Sequence, residues 1–143
     1  MVRKFGLALL ALALGYGLVA SIHAADEKKK DDKKEEAASI NDIMESVPGK
    51  KGLVAKLGAA AKEEKWDDAK KIGEQLKKFG GDLGKNTPEI GSKESWAKLS
   101  EKFDKQMSAM AKGAEDKDGK AIAAAAKEFG GSCKACHDAH QKK

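Results

Sequence analysis

A Cys-x-x-Cys-His run stands close to the C-terminus, where two residues separate Cys133 from Cys136 and His137 follows directly. This pattern is typical of covalent attachment of c-type haem, in which two thiols form thioethers and the imidazole ligates the iron. On a helix, residues three and four positions apart share one face, so these three side chains can reach one porphyrin. The sequence therefore predicts one haem c per chain, bound by Cys133, Cys136 and His137.

The position of this run limits the fold that can surround a haem. Only residues 138–143 follow it, so we expect earlier parts of the chain to cover the other haem face. Two other uses of the cysteines stay open, a thioredoxin-like dithiol and a metal clip. The first lies beside a βαβ pattern, and the sequence has no period-2 strand pattern. The second, if it holds zinc, needs two further ligands, and His140 is the only further histidine of the domain.

The N-terminus has the three parts of a secretory signal peptide. Arg3 and Lys4 form a basic start, residues 5–22 are apolar, and Ala24 ends a plausible cleavage site. We predict that residues 1–24 are a signal peptide and that the mature protein is periplasmic, exported across the bacterial inner membrane. Because the apolar run is long for a signal, an uncleaved membrane anchor is the alternative.

The next segment, residues 25–38, is a leader made entirely of Ala, Lys, Asp and Glu. Its central charged run has nothing apolar to bury, so we predict that it is disordered and that the folded domain spans residues 39–143. The chain carries a net charge of +5, but Arg3 and Lys4 belong to the signal peptide. No other Arg is present, and Arg is the residue best suited to bidentate phosphate contacts. We therefore expect no nucleic-acid partner.

Apolar residues recur every three or four positions from Ser39 onward, which indicates amphipathic helices. Ser39 and Asp42 have the spacing of a capping box at the start of the first helix, which Pro48-Gly49 interrupts. The second helix carries a stripe that consists of Trp66, Ala69, Ile72, Leu76, Phe79 and Leu83. The third carries Trp96, Leu99, Phe103, Met107 and Met110, of which the methionines are predicted to fill the core.

Ser92 can cap the third helix, and a charged turn over Gly113–Gly119 separates it from a fourth helix that bears the cysteines. Four amphipathic helices with short connections predict an all-α fold. We expect an antiparallel four-helix bundle with haem c attached on the C-terminal helix. Gly130 and Gly131 either allow the haem to approach this helix or break it. We expect His140 at the surface or at the haem edge.

Together these features resemble the class II cytochromes c, the cytochrome c′ group. The resemblance depends on the run Cys133–Asp138, on the exported four-helix pattern and on Ile43-Met44 near the start of the first helix. It implies that His137 is the proximal iron ligand and that the first helix covers the distal face. In the low-spin members a Met early in that helix is the sixth ligand, and Met44 stands at that position. Met44 also fits a core stripe.

The chain departs from the family pattern in its cations. Members often have an Arg in the first helix near a haem propionate, and the mature chain has none. Lys50, Lys51 or Lys134 could take that role.

The resemblance leaves two functions open. Axial ligation by His137 and Met44 favours a one-electron carrier, because it raises the potential and leaves no open iron site. An open sixth position would instead suit a five-coordinate cytochrome c′-like protein that binds NO or CO. We do not expect an enzyme, since no distal His or Arg is available for acid–base work. The expected partners are periplasmic redox proteins and, as in many family members, a second copy of the chain. Membrane contact is expected only if the signal is uncleaved.

Overall fold

The structure, a computed structural model, describes residues 36–142. All regular secondary structure in this range is helical, in the elements α1 Ile40–Ser46, α2 Leu53–Lys62, α3 Trp66–Leu83, α4 Lys93–Glu115 and α5 Gly119–His140. The predicted signal peptide and most of the predicted leader lie outside the described residues. Within the described range, no helix is long and apolar enough to cross a membrane.

The helices pack as a bundle in which α3 lies against α4, and α4 lies against α5. The helix α2 contacts both α3 and α5, while α1 contacts α3. Short turns over residues 63–65 and 116–118 join successive helices, which is the connection typical of antiparallel neighbours. The predicted all-α bundle is confirmed. Its first predicted helix is divided into α1 and α2, which makes five helices in residues 36–142.

The division between α1 and α2 has a clear backbone cause. Pro48 lacks an N–H and its ring would clash with the carbonyl four residues earlier, so a helix cannot continue through it unchanged. Gly49 has a φ of +87°, a region that favours glycine. A Cβ at Gly52, the N-cap of α2, would lie 2.1 Å from the Pro48 carbonyl oxygen. The chain therefore makes a sharp corner after α1 rather than a kink within one helix.

The predicted helix starts are confirmed at two positions. Ser39 Oγ accepts from the Asp42 N–H at 3.2 Å, and the Asp42 carboxylate accepts from the Ser39 N–H, which completes the capping box. Ser92 Oγ accepts from the Ser95 N–H at 3.1 Å. Asp118 caps α5 in the same way, although this cap was not predicted.

The charged turn between α4 and α5 is shorter than predicted, because α4 continues to Glu115. Gly113 belongs to this last part of α4 and is buried. A Cβ there would lie 2.8 Å from Cγ1 of Ile122, so glycine allows α4 and α5 to pack closely at this end. The prediction that Gly113 belongs to the turn is therefore wrong.

The core follows the apolar stripes of the helices. Its largest fully buried side chains are Ile43, Val47, Leu57, Leu76, Leu83, Met107, Met110 and Ile122. The predicted core role of the two α4 methionines is thus confirmed. Near one end of the bundle, Phe103 of α4 and Phe129 of α5 meet edge to face with ring centroids 5.8 Å apart. These two rings border the cleft that holds the candidate site.

Candidate haem-binding site

A cleft opens at the end of the bundle where α1, α3, α4 and α5 come together. Its wall is formed by Met44, Pro48, Leu83, Leu99, Lys102, Phe103, Phe129, Ser132, Cys133, Cys136 and His137. The structure thus brings the four residues singled out from the sequence to one surface. Met44 comes from α1, and the cysteines and His137 come from the last turns of α5.

The cysteines lie on an unbroken helix. α5 runs from Gly119 to His140, so Gly130 and Gly131 do not break it. Both cysteines are free thiols and half-buried. The Cys133 thiol donates to the Phe129 carbonyl at 3.4 Å. Burial, and to a lesser degree the neighbouring Cys133, raises the pKa of the Cys136 thiol. The pair therefore stands on a helix of a helical domain, unlike the βαβ setting of a thioredoxin-like dithiol.

Met44 reaches the cleft because α1 presents two different sides. Ile43 and Val47, four positions apart, are fully buried in the core. Met44 and Pro48 are each one position further along, and both line the cleft. Because Met44 precedes the Pro48 corner, it lies within α1 and not in the connecting segment.

The residues on this wall fit haem c in their chemistry. Two thiols are available for thioether bonds, and an imidazole and a thioether are both common axial ligands of haem iron. The rest of the wall is mainly apolar, as the face of a porphyrin requires, with side chains from Leu83, Phe103 and Phe129. Phe103 and Phe129 are each 8% exposed, so the wall is also part of the core.

Among the lysines of residues 36–142, Lys102 is the one that lines the cleft. It was missed in the sequence, although it lies three positions after Leu99 and so shares a helix face with a cleft residue. The cations considered from the sequence do not line this wall. Lys50 and Lys51 lie in the corner after α1, and Lys134 is paired with Asp138 on α5.

His140 is neither a cleft residue nor an isolated surface residue. Its Nδ1 lies 2.9 Å from the Ile90 carbonyl oxygen, and its Nε2 lies 3.1 Å from Ser95 Oγ. The ring also packs edge-on against Trp96, with centroids 5.2 Å apart. His140 therefore connects the end of α5 to the start of α4, which the sequence expectation of a surface or haem-edge position did not include.

Part of the chain matches a known protein family. Residues 84–141 match the family model described as Cytochrome C′, and this range includes the Cys-x-x-Cys-His run but not Met44. No curated protein and no solved structure matches the chain significantly. The match covers less than half of the chain, and over this C-terminal part the protein is similar to the cytochrome c′ family, whose members carry covalently bound haem c with its iron.

Proposed function

We propose that the protein is an exported electron carrier, with His137 as the proximal and Met44 as the distal ligand of its haem iron. The proposal is carried by one observation, the presence of both side chains on the wall of one cleft. The haem supplies the one-electron chemistry when bound, by cycling between Fe(III) and Fe(II).

Met44 would tune this chemistry through its thioether. A thioether is a soft ligand that favours Fe(II), and Met/His ligation raises the potential of haem proteins. It also occupies the sixth position, so that a small gas cannot bind there. His137 and Met44 would thus make the site suited to outer-sphere transfer rather than to ligand binding.

The apolar residues of the wall support the same role. Leu83, Phe103 and Phe129 are almost fully buried and keep water from this side of the cleft. A drier surrounding disfavours the extra positive charge of the oxidised site and so raises the potential further. Ser132, the neutral polar residue of the wall, lies 2.9 Å from the Phe129 carbonyl oxygen. We expect no substrate turnover, because the Ser132 hydroxyl is hydrogen-bonded within the protein and the sequence offers no distal His or Arg for acid–base work.

Export and partners are parts of the same proposal. The basic start and apolar run of residues 1–24 support periplasmic delivery, and an intact mass of residues 25–143 plus one haem would test it. Exposed lysines such as Lys102 would attract acidic redox proteins at low salt. A homodimer is a second option, for which size measurement of the native protein is the test.

Optical spectra of the purified holoprotein test the ligand set. We expect a low-spin spectrum with a sulfur-to-iron charge-transfer band and slow or absent CO binding. Met44→Leu should open the sixth position, make the iron high-spin and admit CO. Met110→Leu is the matched control, because Met110 lies in the core outside the cleft lining and the swap nearly conserves volume. A wild-type protein that is already high-spin and binds CO readily would replace this function with gas binding.

A further inference from the structure

Two side chains near the C-terminal end of α3 bind both backbone polar groups of Ala38. The Ala38 N–H donates to Asp82 Oδ2 at 3.2 Å, and its carbonyl accepts from Asn86 Nδ2 at 3.0 Å. Asn86 Nδ2 also donates to the Asp82 carbonyl at 2.9 Å. We call Asp82 and Asn86 the Ala38 clamp. The clamp fixes the chain immediately before Ser39, the N-cap of α1.

The burial of Asp82 indicates that this contact matters. The residue is only 4% exposed, and a buried carboxylate is costly unless it is fully hydrogen-bonded. Lys85 Nζ donates to its other oxygen at 2.8 Å. Asp82 also lies in the last turn of α3, where the helix dipole disfavours a negative charge. Local helix preference thus opposes an acid here, and the tertiary contact with Ala38 offsets that cost.

The segment that the clamp fixes depends on tertiary contacts. α1 has 7 residues, which is too short for a helix to be stable alone in water. Its position is therefore set by the buried Ile43 and Val47 and by the clamp at its N-terminus. Leu83, the neighbour of Asp82, lines the same cleft as Met44. The end of α3 thus holds the start of α1 and also forms part of the site.

We propose that Asp82 and Asn86 are positioning residues that hold α1 over the cleft and so set how fully Met44 occupies the sixth iron position. The inference rests on the proposed function, in which Met44 is that ligand. Loss of the clamp frees the start of α1 while the Cys133 and Cys136 attachments and His137, all on α5, stay in place. The expected result is a holoprotein with covalent haem and partial Met44 ligation.

The test compares Asp82→Ala and Asn86→Ala with Asp116→Ala in the holoprotein. Asp116 is a matched control because its carboxylate also pairs with a lysine, Lys112 at 2.6 Å. Unlike Asp82, it is exposed, and it lies at the C-terminal end of α4. Hydrogen exchange of the amides in residues 39–46 reports on α1. The rate of CO association and the sulfur-to-iron charge-transfer band both report on ligation by Met44. We expect about tenfold faster exchange in α1 for either clamp variant, with a matching rise in CO association. Amides of α4 and α5 should keep their protection.

Three outcomes count against the proposal, and they differ from one another. Exchange in α1 that rises no more than in the Asp116 control shows that the clamp does not hold the helix. Faster exchange with unchanged CO association and charge-transfer band shows that α1 is held but does not govern ligation. If Met44→Leu also leaves the spectrum unchanged, the proposed function itself fails. Asn86→Ala keeps the buried carboxylate, so the test remains available if Asp82→Ala folds poorly.

Discussion

Lys102 illustrates how a single exposed residue can affect the site without being part of a motif. Its side chain is a cation on a wall that is otherwise mainly apolar. A positive charge near the iron destabilises the oxidised state more than the reduced state, because the oxidised site is one charge more positive. Lys102 should therefore raise the reduction potential, by an amount that solvent and salt reduce.

Replacement of this cation gives a prediction on the potential. Lys102→Gln should lower the midpoint potential by on the order of 20 mV at low salt, and added salt should shrink the difference. Lys120→Gln is the control, since Lys120 lies at the far end of α5 from His137. Potentiometric titration measures both. Equal shifts in the two variants would mean that overall charge, and not the position of Lys102, sets the effect.

At the scale of single residues, the sequence predicts which side chains lie together where they are close along the chain, while their role in haem binding stays a prediction. Cys133, Cys136 and His137 lie in one run, and a helix alone is enough to place them on one face. The roles of Lys102 and His140 were not predictable in the same way. They depend on which faces of α4 and α5 meet, and a contact such as that between His140 and Ile90 joins residues 50 positions apart.

At the scale of helices and turns, the corner between α1 and α2 offers a direct test of backbone sterics. Gly52→Ala would place a Cβ 2.1 Å from a backbone oxygen, so the corner would have to shift and α1 with it. Gly58→Ala adds the same methyl group within α2, where a Cβ has no neighbour within 4 Å. Gly52→Ala should lower the free energy of unfolding by about 2 kcal/mol or more. Gly58→Ala should raise it by about 1 kcal/mol.

Urea unfolding of the two holoprotein variants measures this pair. The opposite signs are the central expectation, because composition changes identically in both. A loss of stability of similar size in both variants would show that glycine is needed in this region for a reason other than the corner.

The last turn of α3 gives a prediction on pH. The Lys85 hydrogen bond is the main cause that holds the pKa of Asp82 below its usual range, with the Ala38 N–H and the charges of Lys85 and Lys78 also lowering it. A carboxyl group with a lowered pKa in the folded state contributes stability at neutral pH. That contribution is lost as pH falls through the folded-state pKa.

Urea unfolding of wild type and Asp82→Asn between about pH 3 and pH 7 measures this contribution. The wild type should be the more stable protein at pH 7, and the difference should shrink steadily at acid pH. Asp82 is the ionisable member of the clamp, since the Asn86 amide does not titrate, so the comparison isolates the carboxyl group of Asp82. A difference that does not change with pH would contradict the assignment.

The helices differ in how far their placement follows from their own sequence. α3, α4 and α5 carry long apolar stripes, and their periodicity alone indicates where they begin and which face is buried. The position of α1 does not follow from its own periodicity and was expected only from the family resemblance, because its start is held by contacts between Ala38 and the Asp82–Asn86 region, 44 and 48 residues away. The cause of the corner, in contrast, was visible as Pro48-Gly49.

At the scale of the whole molecule, the cleft and the core are one structure. Phe103, Phe129 and Leu83 belong to the hydrophobic core and also form the cleft wall. The N-terminal half of α5, in contrast, is rich in alanine and has Ile122 as its one large apolar side chain before Phe129. A haem held among these residues would supply much of the apolar contact area at this end of the bundle.

Removal of the haem should therefore loosen the whole domain and not only the cleft. The Cys133→Ala/Cys136→Ala double variant lacks both attachment points, and a group that binds only the folded state stabilises it. We expect this variant to keep helical circular dichroism but to melt broadly, with a midpoint at least about 10 °C below that of the holoprotein, which corresponds to roughly 2 kcal/mol. Ser132→Ala, beside Cys133 on the same wall, is the control that should retain covalent haem. A sharp transition of the double variant at the holoprotein's temperature would mean that the helices alone stabilise the bundle.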